Sequence, residues 1–192
     1  NIMFKTVKEL KESGEWNSFY ISGIGLAPVI AGLGDKLVGL ELGVARAETT
    51  TYLLENCPNI KTYYCVDPWQ PYQDWNGPIT QEVISAMKAT ALNNLSFFGK
   101  KVSLIEDYSN NAAKKIKDNS LDFVFIDGDH SYEAALFDMT TYWPKVKSGG
   151  LFAGHDAGMQ NVDNALSTFR ASHNITTPVQ YCPNQCWYWV KE

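Results

Sequence analysis

The sequence predicts a single α/β domain, a mostly parallel sheet with helices on both faces. Short apolar or β-rich runs alternate along the chain with stretches that favour helix. Several of these runs end in an acid or a glycine, and ligands of doubly wound sheets bind beyond the carboxyl ends of the strands. The 192 residues suffice for one continuous core. We expect residues 1–36 to form a lead-in and residues 37–192 to form the ligand-binding part of this one domain.

The lead-in is predicted to contain one helix and a glycine-rich loop. Thr6 is placed to cap a helix around residues 7–12. Residues 18–34 are rich in glycine and small apolar side chains, which predicts a loop, with a short helix near residues 28–31, at the border of the pocket. The aromatic side chains within residues 16–20 are candidates for the interface of a homodimer.

The first predicted strand organises the rest of the chain. It lies in LVGLELGVARAETT, residues 37–50, where alternate apolar residues predict a buried strand and Gly43 allows a sharp turn. Residues 45–54 favour helix. Glu41 is an acid just inside the strand end, where a carboxylate suits a ligand that carries a cation. A lone glycine also occurs in strand-turn-helix units without a ligand, so this turn alone does not decide the function.

The same turn argues against a dinucleotide ligand. A dinucleotide fold would need G-x-G-x-x-G, with glycines that bring the backbone against a pyrophosphate. Only Gly43 is present, because Ala45 and Ala47 occupy the next positions where a glycine is expected. The sequence therefore favours a nucleoside ligand without two phosphates.

The second predicted strand, KTYYCV at residues 61–66, ends at Asp67. Asp67 follows Gly43 by 24 positions, close to the interval of ~20 residues at which a strand-end acid meets ribose hydroxyls. The alternative is structural, because an aspartate before a proline such as Pro68 is a common strand-ending turn.

The segment WQPYQDWNGPIT, residues 69–80, is aromatic and rich in turn residues. It is too apolar for a free loop and too irregular for the core, which predicts a lid or a substrate wall. A surface loop pinned by aromatics such as Tyr72 and Trp75 is the alternative. Residues 81–95 are predicted to be helical.

Three further strands are predicted at residues 102–105, 121–126 and 150–153. Helices are predicted between and after them, at residues 110–117, 132–142 and 160–173. A closing hairpin is predicted from residues 178–182 and 186–190, with Trp187 and Trp189 in structural positions.

A divalent metal site is predicted at the ends of the last two parallel strands. Asp127 follows one strand, and His155 and Asp156 follow the next, so neighbouring strand ends would place all three around one spot. Carboxylates with one imidazole suit magnesium or manganese better than zinc. His130 lies near enough in the sequence to act as a base, because an imidazole titrates near working pH. The alternative is structural, with Asp129 and Ser131 as caps of the following helix and His130 as a support of the loop.

Composition excludes several classes of protein. The net charge of −5 and a sequence pI near 5.2 argue against a nucleic-acid binder. There is no apolar run of membrane-spanning length and no leader, so we expect a cytoplasmic protein. The four cysteines, Cys57, Cys65, Cys182 and Cys186, are expected to be free thiols.

The turn after the first strand resembles the first motif of class I S-adenosylmethionine-dependent methyltransferases, with Ala47 in place of the last glycine. The stretch FIDGDHSYEAALFDMTTYWPKVKSGGLFAGHD is similar to the metal-dependent O-methyltransferases of the catechol and macrocin type. Within class I, the chain is most similar to the Methyltransf_24 group. The resemblance implies a Rossmann-like seven-stranded sheet with an antiparallel last strand, and S-adenosylmethionine as cofactor.

The resemblance also implies roles for individual residues. Asp107 would bind the adenine amine and Tyr108 would cover the ring, although Ser109 and Asp107 also fit a helix cap. The metal ligands would be Asp127, His155 and Asp156, and the catalytic residues would be Asp127, His130 and His155, with either histidine as the base. The full set of implied cofactor contacts is Glu41, Gly43, Val44, Ala45, Asp67, Pro68, Trp69, Asp107, Tyr108 and Asp127.

The resemblance therefore implies metal-assisted O-methylation of a hydroxyl on a small molecule or sugar, an EC 2.1.1 activity. A hydroxyl attacks a sulfonium methyl group poorly until it loses its proton, and a bound cation favours that loss. Two alternatives remain open: an NAD-dependent oxidoreductase, and a nucleoside-binding module that has lost catalysis.

Overall fold

The computed structural model describes residues 2–74 and 76–192, so Trp75 of the predicted lid lies outside the described residues. The strands are β1 (Leu37–Leu42), β2 (Ile60–Val66), β3 (Tyr72–Asp74), β4 (Gly77–Ile79), β5 (Val102–Ile105), β6 (Leu121–Ile126), β7 (Val146–Gly154), β8 (Gln180–Cys182) and β9 (Cys186–Val190). The α-helices are α1 (Val7–Glu12), α2 (Ala27–Ala31), α3 (Glu48–Asn56), α4 (Gln81–Leu95), α5 (Ser109–Ala113), α6 (Tyr132–Tyr142) and α7 (Gln160–Ser172).

Seven strands form one sheet in the order β5-β2-β1-β6-β7-β9-β8. The first five strands of this order run parallel, whereas β9 pairs antiparallel with both β7 and β8. This arrangement confirms the predicted α/β sheet with an antiparallel last strand. A separate two-stranded hairpin joins β3 to β4.

The core has two halves, one on each face of the sheet, because alternate strand residues point to opposite faces. Leu40 and Val124 pack on one face with apolar residues of α5, α6 and α7. Phe123 and Phe125 pack on the other face with α2, α3 and α4. Trp187 and Trp189 are each 1% exposed, which confirms their predicted structural role.

Three element boundaries differ from the prediction by three or four residues. Helix α5 ends at Ala113 instead of residue 117. Helix α3 begins at Glu48 instead of residue 45, because Ala45 and Ala47 have φ angles of 50° and 64°, in the left-handed region. Strand β7 begins at Val146 instead of residue 150, so the Lys-Ser-Gly sequence at residues 147–149, which precedes the predicted strand, lies within it. A glycine pair inside a strand gives the sequence the appearance of a turn.

Capping residues in the sequence mark the starts of other helices. Thr6 and Glu9 form the capping box that begins α1, and the Ser131 hydroxyl accepts from Ala134 at the start of α6. All four cysteines are free thiols, as predicted. Within the described residues, none of the helices combines the length and the apolar character needed to cross a bilayer.

Candidate active site

The predicted site residues stand in a row along one edge of the sheet. Four of them follow neighbouring parallel strands, and each backbone N–H donates to the carbonyl of the last residue of the adjacent strand. They are Gly43, Asp67, Asp127 and His155, with N···O distances of 3.0, 3.2, 2.9 and 3.0 Å. The backbone hydrogen bonds of the parallel sheet thus continue one residue beyond each strand, and they fix the position of each of these four residues at the end of the sheet.

Gly43 lies where no larger residue fits. Its φ of 84° is in the left-handed region, and a Cβ atom at this position would lie 1.9 Å from the backbone oxygen of Asp127. The turn after β1 therefore packs directly against the loop after β6. Glycine is required here by the close approach of two backbones, in addition to the φ angle.

Glu41 lies beneath this turn. Its side chain is 1% exposed, and its two oxygens accept hydrogen bonds from the hydroxyls of Tyr63 at 2.7 Å and Thr50 at 2.8 Å. Burial raises the pKa of Glu41 to about 8, although the two hydroxyls oppose the shift. The ligand contact expected of Glu41 stays a prediction; in this structure both its oxygens are buried and link β1 to Tyr63 of β2 and Thr50 of α3.

Asp67 joins the turns that follow β1 and β2. One carboxylate oxygen accepts from the N–H of Ala45 at 2.9 Å, and the other accepts from the N–H of Trp69 at 2.8 Å. Burial raises its pKa, and these backbone donors oppose the shift. The indole of Trp69 is 3% exposed and donates to the Ala45 carbonyl at 3.0 Å, so Trp69 is a core residue and not part of an open wall.

An open cleft of about 370 Å³ lies beside these turns. It is lined by Pro68, Gln70, Glu106, Asp107 and Tyr108, so it joins the ends of β2 and β5. Its size suits a nucleoside-sized ligand. Its described lining contains no Lys or Arg, which suits a ligand without phosphates.

The alternative prediction for this turn, a helix cap by Ser109 that Asp107 assists, is wrong for Ser109, because Tyr108 occupies the N-cap position and Ser109 is the first residue of α5. The Asp107 carboxylate accepts from the N–H of Tyr108 at 2.8 Å and from the side-chain amide of Asn111 at 3.0 Å, so it does assist the start of α5. The hydrogen bond from Asn111, followed by that from Tyr108, lowers its pKa. Tyr108 is 54% exposed and borders the cleft.

The structure brings the three predicted metal ligands together. Nδ1 of His155 lies 3.3 Å from Oδ1 of Asp127 and 3.1 Å from Oδ1 of Asp156. One donor atom from each residue lies within 4.8 Å of the others. His130 and Asp129 line the same pocket. An oxygen-rich group with one imidazole fits a hard divalent cation, which would replace the proton shared by the imidazole and the carboxylates.

The cluster holds a proton on His155. Burial lowers the pKa of His155, but hydrogen bonds and charges from Asp127 and Asp156 outweigh this effect and raise the pKa to about 10. Burial also raises the pKa of Asp127, opposed by the imidazole. Without a metal, His155 therefore serves as a proton donor between two acids and is poorly suited to be a base near pH 7.

Sequence reasoning missed Ser22, which belongs to the lead-in. Its hydroxyl donates to Oδ2 of Asp127 at 2.7 Å, across 105 positions of sequence. The glycine-rich composition of residues 18–34 correctly predicted a segment beside the pocket, but no local signal distinguishes Ser22 from other serines.

Several site residues have strained backbones. Ala45, Ala47, Trp69 and Asp156 have φ angles of 50°, 64°, 42° and 64°. Non-glycine residues rarely adopt this region, and such strain concentrates at functional sites. The two alanines occupy positions where glycine was expected, so the backbone keeps the glycine-type conformation without the glycine.

A comparison with protein families agrees with this geometry. The Methyltransf_24 model, described as a methyltransferase domain, matches residues 40–157. The chain belongs to this family. The matched region begins within β1 and ends just after Asp156, so this methyltransferase domain contains every strand end described above. A search of curated proteins found no match.

Solved structures share the fold of this methyltransferase domain. A protein from Corynebacterium glutamicum is similar at 15% identity, with a TM-score of 0.63 over 96% of this chain and 86% of that one. The O-methyltransferase NovP is similar at 17% identity, with a TM-score of 0.60 over 86% and 76%. The Podospora anserina methyltransferase PaMTH1, solved with S-adenosylhomocysteine (SAH), is similar at 13% identity, with a TM-score of 0.59 over 87% and 76%.

Proposed function

We propose that this domain transfers a methyl group from S-adenosylmethionine to a hydroxyl oxygen of a small molecule, assisted by a divalent cation. The cluster of Asp127, His155 and Asp156 carries this proposal, because it lies at the same sheet edge as the cleft. The similarity to NovP, which is named as an O-methyltransferase, supports oxygen as the acceptor atom.

The cofactor would occupy the edge between the cleft and the cluster. When bound, S-adenosylmethionine supplies a methyl group on a positively charged sulfur. Asp67 would accept hydrogen bonds from the ribose, and Asp107 and Tyr108 would hold the adenine. The described linings of the cleft and of the pocket at the cluster contain no Lys or Arg, which favours the positively charged S-adenosylmethionine over NAD. The pyrophosphate of NAD would also need a glycine-rich turn after β1 that this chain lacks.

The acceptor would bind at the cluster. When bound, Mg²⁺ or Mn²⁺ supplies positive charge that lowers the pKa of a nearby hydroxyl. Asp127, His155 and Asp156 would hold the cation. We assign the base to His130, whose side chain lines the same pocket, and we assign His155 to the cation, since its imidazole lies between two carboxylates.

Calorimetric titration with SAH tests the cofactor site. We expect the wild-type protein to bind SAH with a micromolar dissociation constant. Asp67→Ala should weaken binding about ten-fold or more, because a charged hydrogen-bond acceptor is lost. The exposed Asp35→Ala is the matched control and should bind as the wild type does. Binding of NADH but not SAH would contradict the proposal.

Methyl transfer to hydroxyl acceptors tests the reaction itself. The assay would compare a vicinal diphenol, a monophenol, an amine and a thiol, with Mg²⁺ or with EDTA. We expect transfer to the hydroxyl acceptors only, lost in EDTA and in Asp127→Asn. Binding of SAH without any metal-dependent transfer would instead support the non-catalytic alternative.

A further inference from the structure

A chain of hydroxyl groups connects the lead-in to the metal-binding cluster. Ser22 Oγ lies 2.7 Å from Oδ2 of Asp127 and 2.9 Å from Oγ1 of Thr49. The backbone N–H of Gly23 donates to the same Thr49 oxygen at 3.2 Å. Two segments far apart in the sequence, residues 22–23 and Thr49, therefore meet behind one carboxylate oxygen.

The donors in this chain all point the same way. A carboxylate only accepts, so the single proton of Ser22 is directed to Asp127. Thr49 must then donate its own proton to Ser22, and its oxygen is free to accept from Gly23. Hydrogen bonds aligned in one direction polarise one another, which strengthens the last bond to Asp127.

The segment that carries Ser22 is held in place from the other side. The side-chain amide of Asn184, in the turn between β8 and β9, donates to the carbonyls of Ser18 at 2.7 Å and Ile21 at 2.9 Å. The thiol of Cys186 donates to the carbonyl of Ser22 at 3.1 Å. The segment is thus fixed before any ligand binds.

Close packing also defines where the segment lies. A Cβ atom at Gly23 would lie 2.7 Å from the methyl carbon of Thr49, and one at Gly25 would lie 2.7 Å from the backbone oxygen of Pro183. Both distances are too short for a side chain. The two glycines therefore let the segment fit between α3 and the β8–β9 turn, which brings Ser22 within reach of Asp127.

We propose that Ser22 is a positioning residue for the cluster: its hydroxyl holds Oδ2 of Asp127 so that Oδ1 faces the space shared with His155 and Asp156. This inference rests on the proposed function, because the cation is what the cluster would bind. Thr49 and Asn184 act through Ser22, one by directing its proton and the other by holding its backbone.

Manganese binding to the ligand-free protein tests this role. Mn²⁺ affinity would be measured by calorimetry for wild type, Ser22→Ala and the control Ser18→Ala, whose exposed side chain is on the same segment. We expect Ser22→Ala to weaken Mn²⁺ binding about ten-fold, as partners of metal ligands do when removed. Ser18→Ala should match the wild type, and thermal unfolding should show all three proteins folded. Equal affinity in Ser22→Ala and wild type would overturn the inference.

Asn184→Ala provides a second variant, remote from the cluster. It should also weaken Mn²⁺ binding, by less than Ser22→Ala, and in the double variant the two losses should not add, since both act through one hydroxyl. Fully additive losses would count against the proposed route.

A crystal structure of Ser22→Ala separates this inference from the proposed function. If wild type binds no Mn²⁺, the cation part of the proposed function fails, but the positioning role still predicts a rotated Asp127 carboxylate in the variant. An unchanged Asp127 rotamer would overturn the positioning role whatever the metal result.

Discussion

At the scale of single residues, the site depends on backbones that approach one another closely. Gly43 is the clearest case, because its missing side chain leaves room for the carbonyl of Asp127. Ala45 and Ala47 extend the same turn in left-handed conformations. The turn after β1 thus holds its shape through contacts with its neighbours, not through a run of glycines.

Gly43→Ala should destabilise the protein by more than about 2 kcal/mol, because the new Cβ would overlap the Asp127 carbonyl. Gly149→Ala is a matched control, since Gly149 has the same φ of 84° and nothing within 4 Å of its Cβ position. Both variants share the cost of the left-handed backbone, so the difference between them isolates the overlap. Chemical denaturation would measure it, and equal losses in the two variants would show that the turn can move apart.

Residue-scale features were only partly predictable from the sequence. Asp67, Asp127 and His155 were found because each follows an apolar run that predicts a strand. Ser22 was missed because its role depends on a contact across 105 positions. The burial of Glu41 was also missed, since an acid at a strand end looks the same whether it faces a ligand or the core.

At the scale of elements, α6 connects two of the loops that form the site. Asp138 accepts from the hydroxyl of Ser109 at 2.6 Å, and Tyr142, one turn later, donates to the Ser109 carbonyl at 2.8 Å. Ser109 begins α5, directly after Asp107 and Tyr108 of the cleft. A Cβ at Gly128, in the loop after β6, would lie 3.3 Å from Asp138. One helix therefore aligns the cleft with the loop of the cluster.

Asp138→Asn should stabilise the protein at pH 7 and have little effect near pH 4. Burial raises the pKa of Asp138 to about 6, opposed by Ser109. A buried acid with a raised pKa makes the protein less stable as the pH rises from the unfolded pKa near 4 to the folded pKa of about 6, so removing its charge should restore about 3 kcal/mol at pH 7. Thermal unfolding at both pH values would measure the change.

The control for Asp138→Asn lies on the same helix. Glu133 is exposed on α6, so Glu133→Gln should change the unfolding temperature little at either pH. If Asp138→Asn gave the same gain at pH 4 as at pH 7, its effect would not come from the charge.

Elements were predicted well where local patterns decide them and poorly where they do not. The strands β1, β2, β5 and β6 were predicted from apolar runs. The start of β7 was missed because two glycines within it resemble a turn. Helix α3 begins later than predicted because Ala45 and Ala47 have left-handed conformations. Conformation at these places is imposed by neighbouring strands and loops, which local propensity does not report.

At the scale of the whole molecule, the sheet edge gathers groups whose pKa values are raised. Glu41 has a pKa raised to about 8 by burial, and Asp138 follows at about 6. For His155 the two carboxylates raise the pKa to about 10 against the effect of burial. Each of these groups binds its proton more tightly in the folded state than in the unfolded state.

The free energy of unfolding should therefore fall as the pH rises from about 5 to about 9, measured in EDTA. Each group adds a slope of up to about 1.4 kcal/mol per pH unit between its unfolded and folded pKa values. Glu41→Gln should make the fall in unfolding free energy less steep between about pH 4.5 and about pH 8, because it removes the contribution of Glu41 and leaves those of Asp138 and His155. A constant free energy over this range would show that these groups relax or become hydrated in the folded protein.

The contact between Asn184 and the segment before β1 also bears on how such enzymes diversify. The two stretches are far apart in the sequence, yet the turn of the last hairpin fixes the loop that supplies Ser22. Exchange of only the first 36 residues between relatives would bring in a loop without the hairpin turn that holds it. Exchange of both stretches would transfer the loop together with its Asn184 contacts. Chimeras made by recombination should therefore keep the two stretches from the same parent, although residue 36, just before β1, is the crossover point that the sequence alone favours.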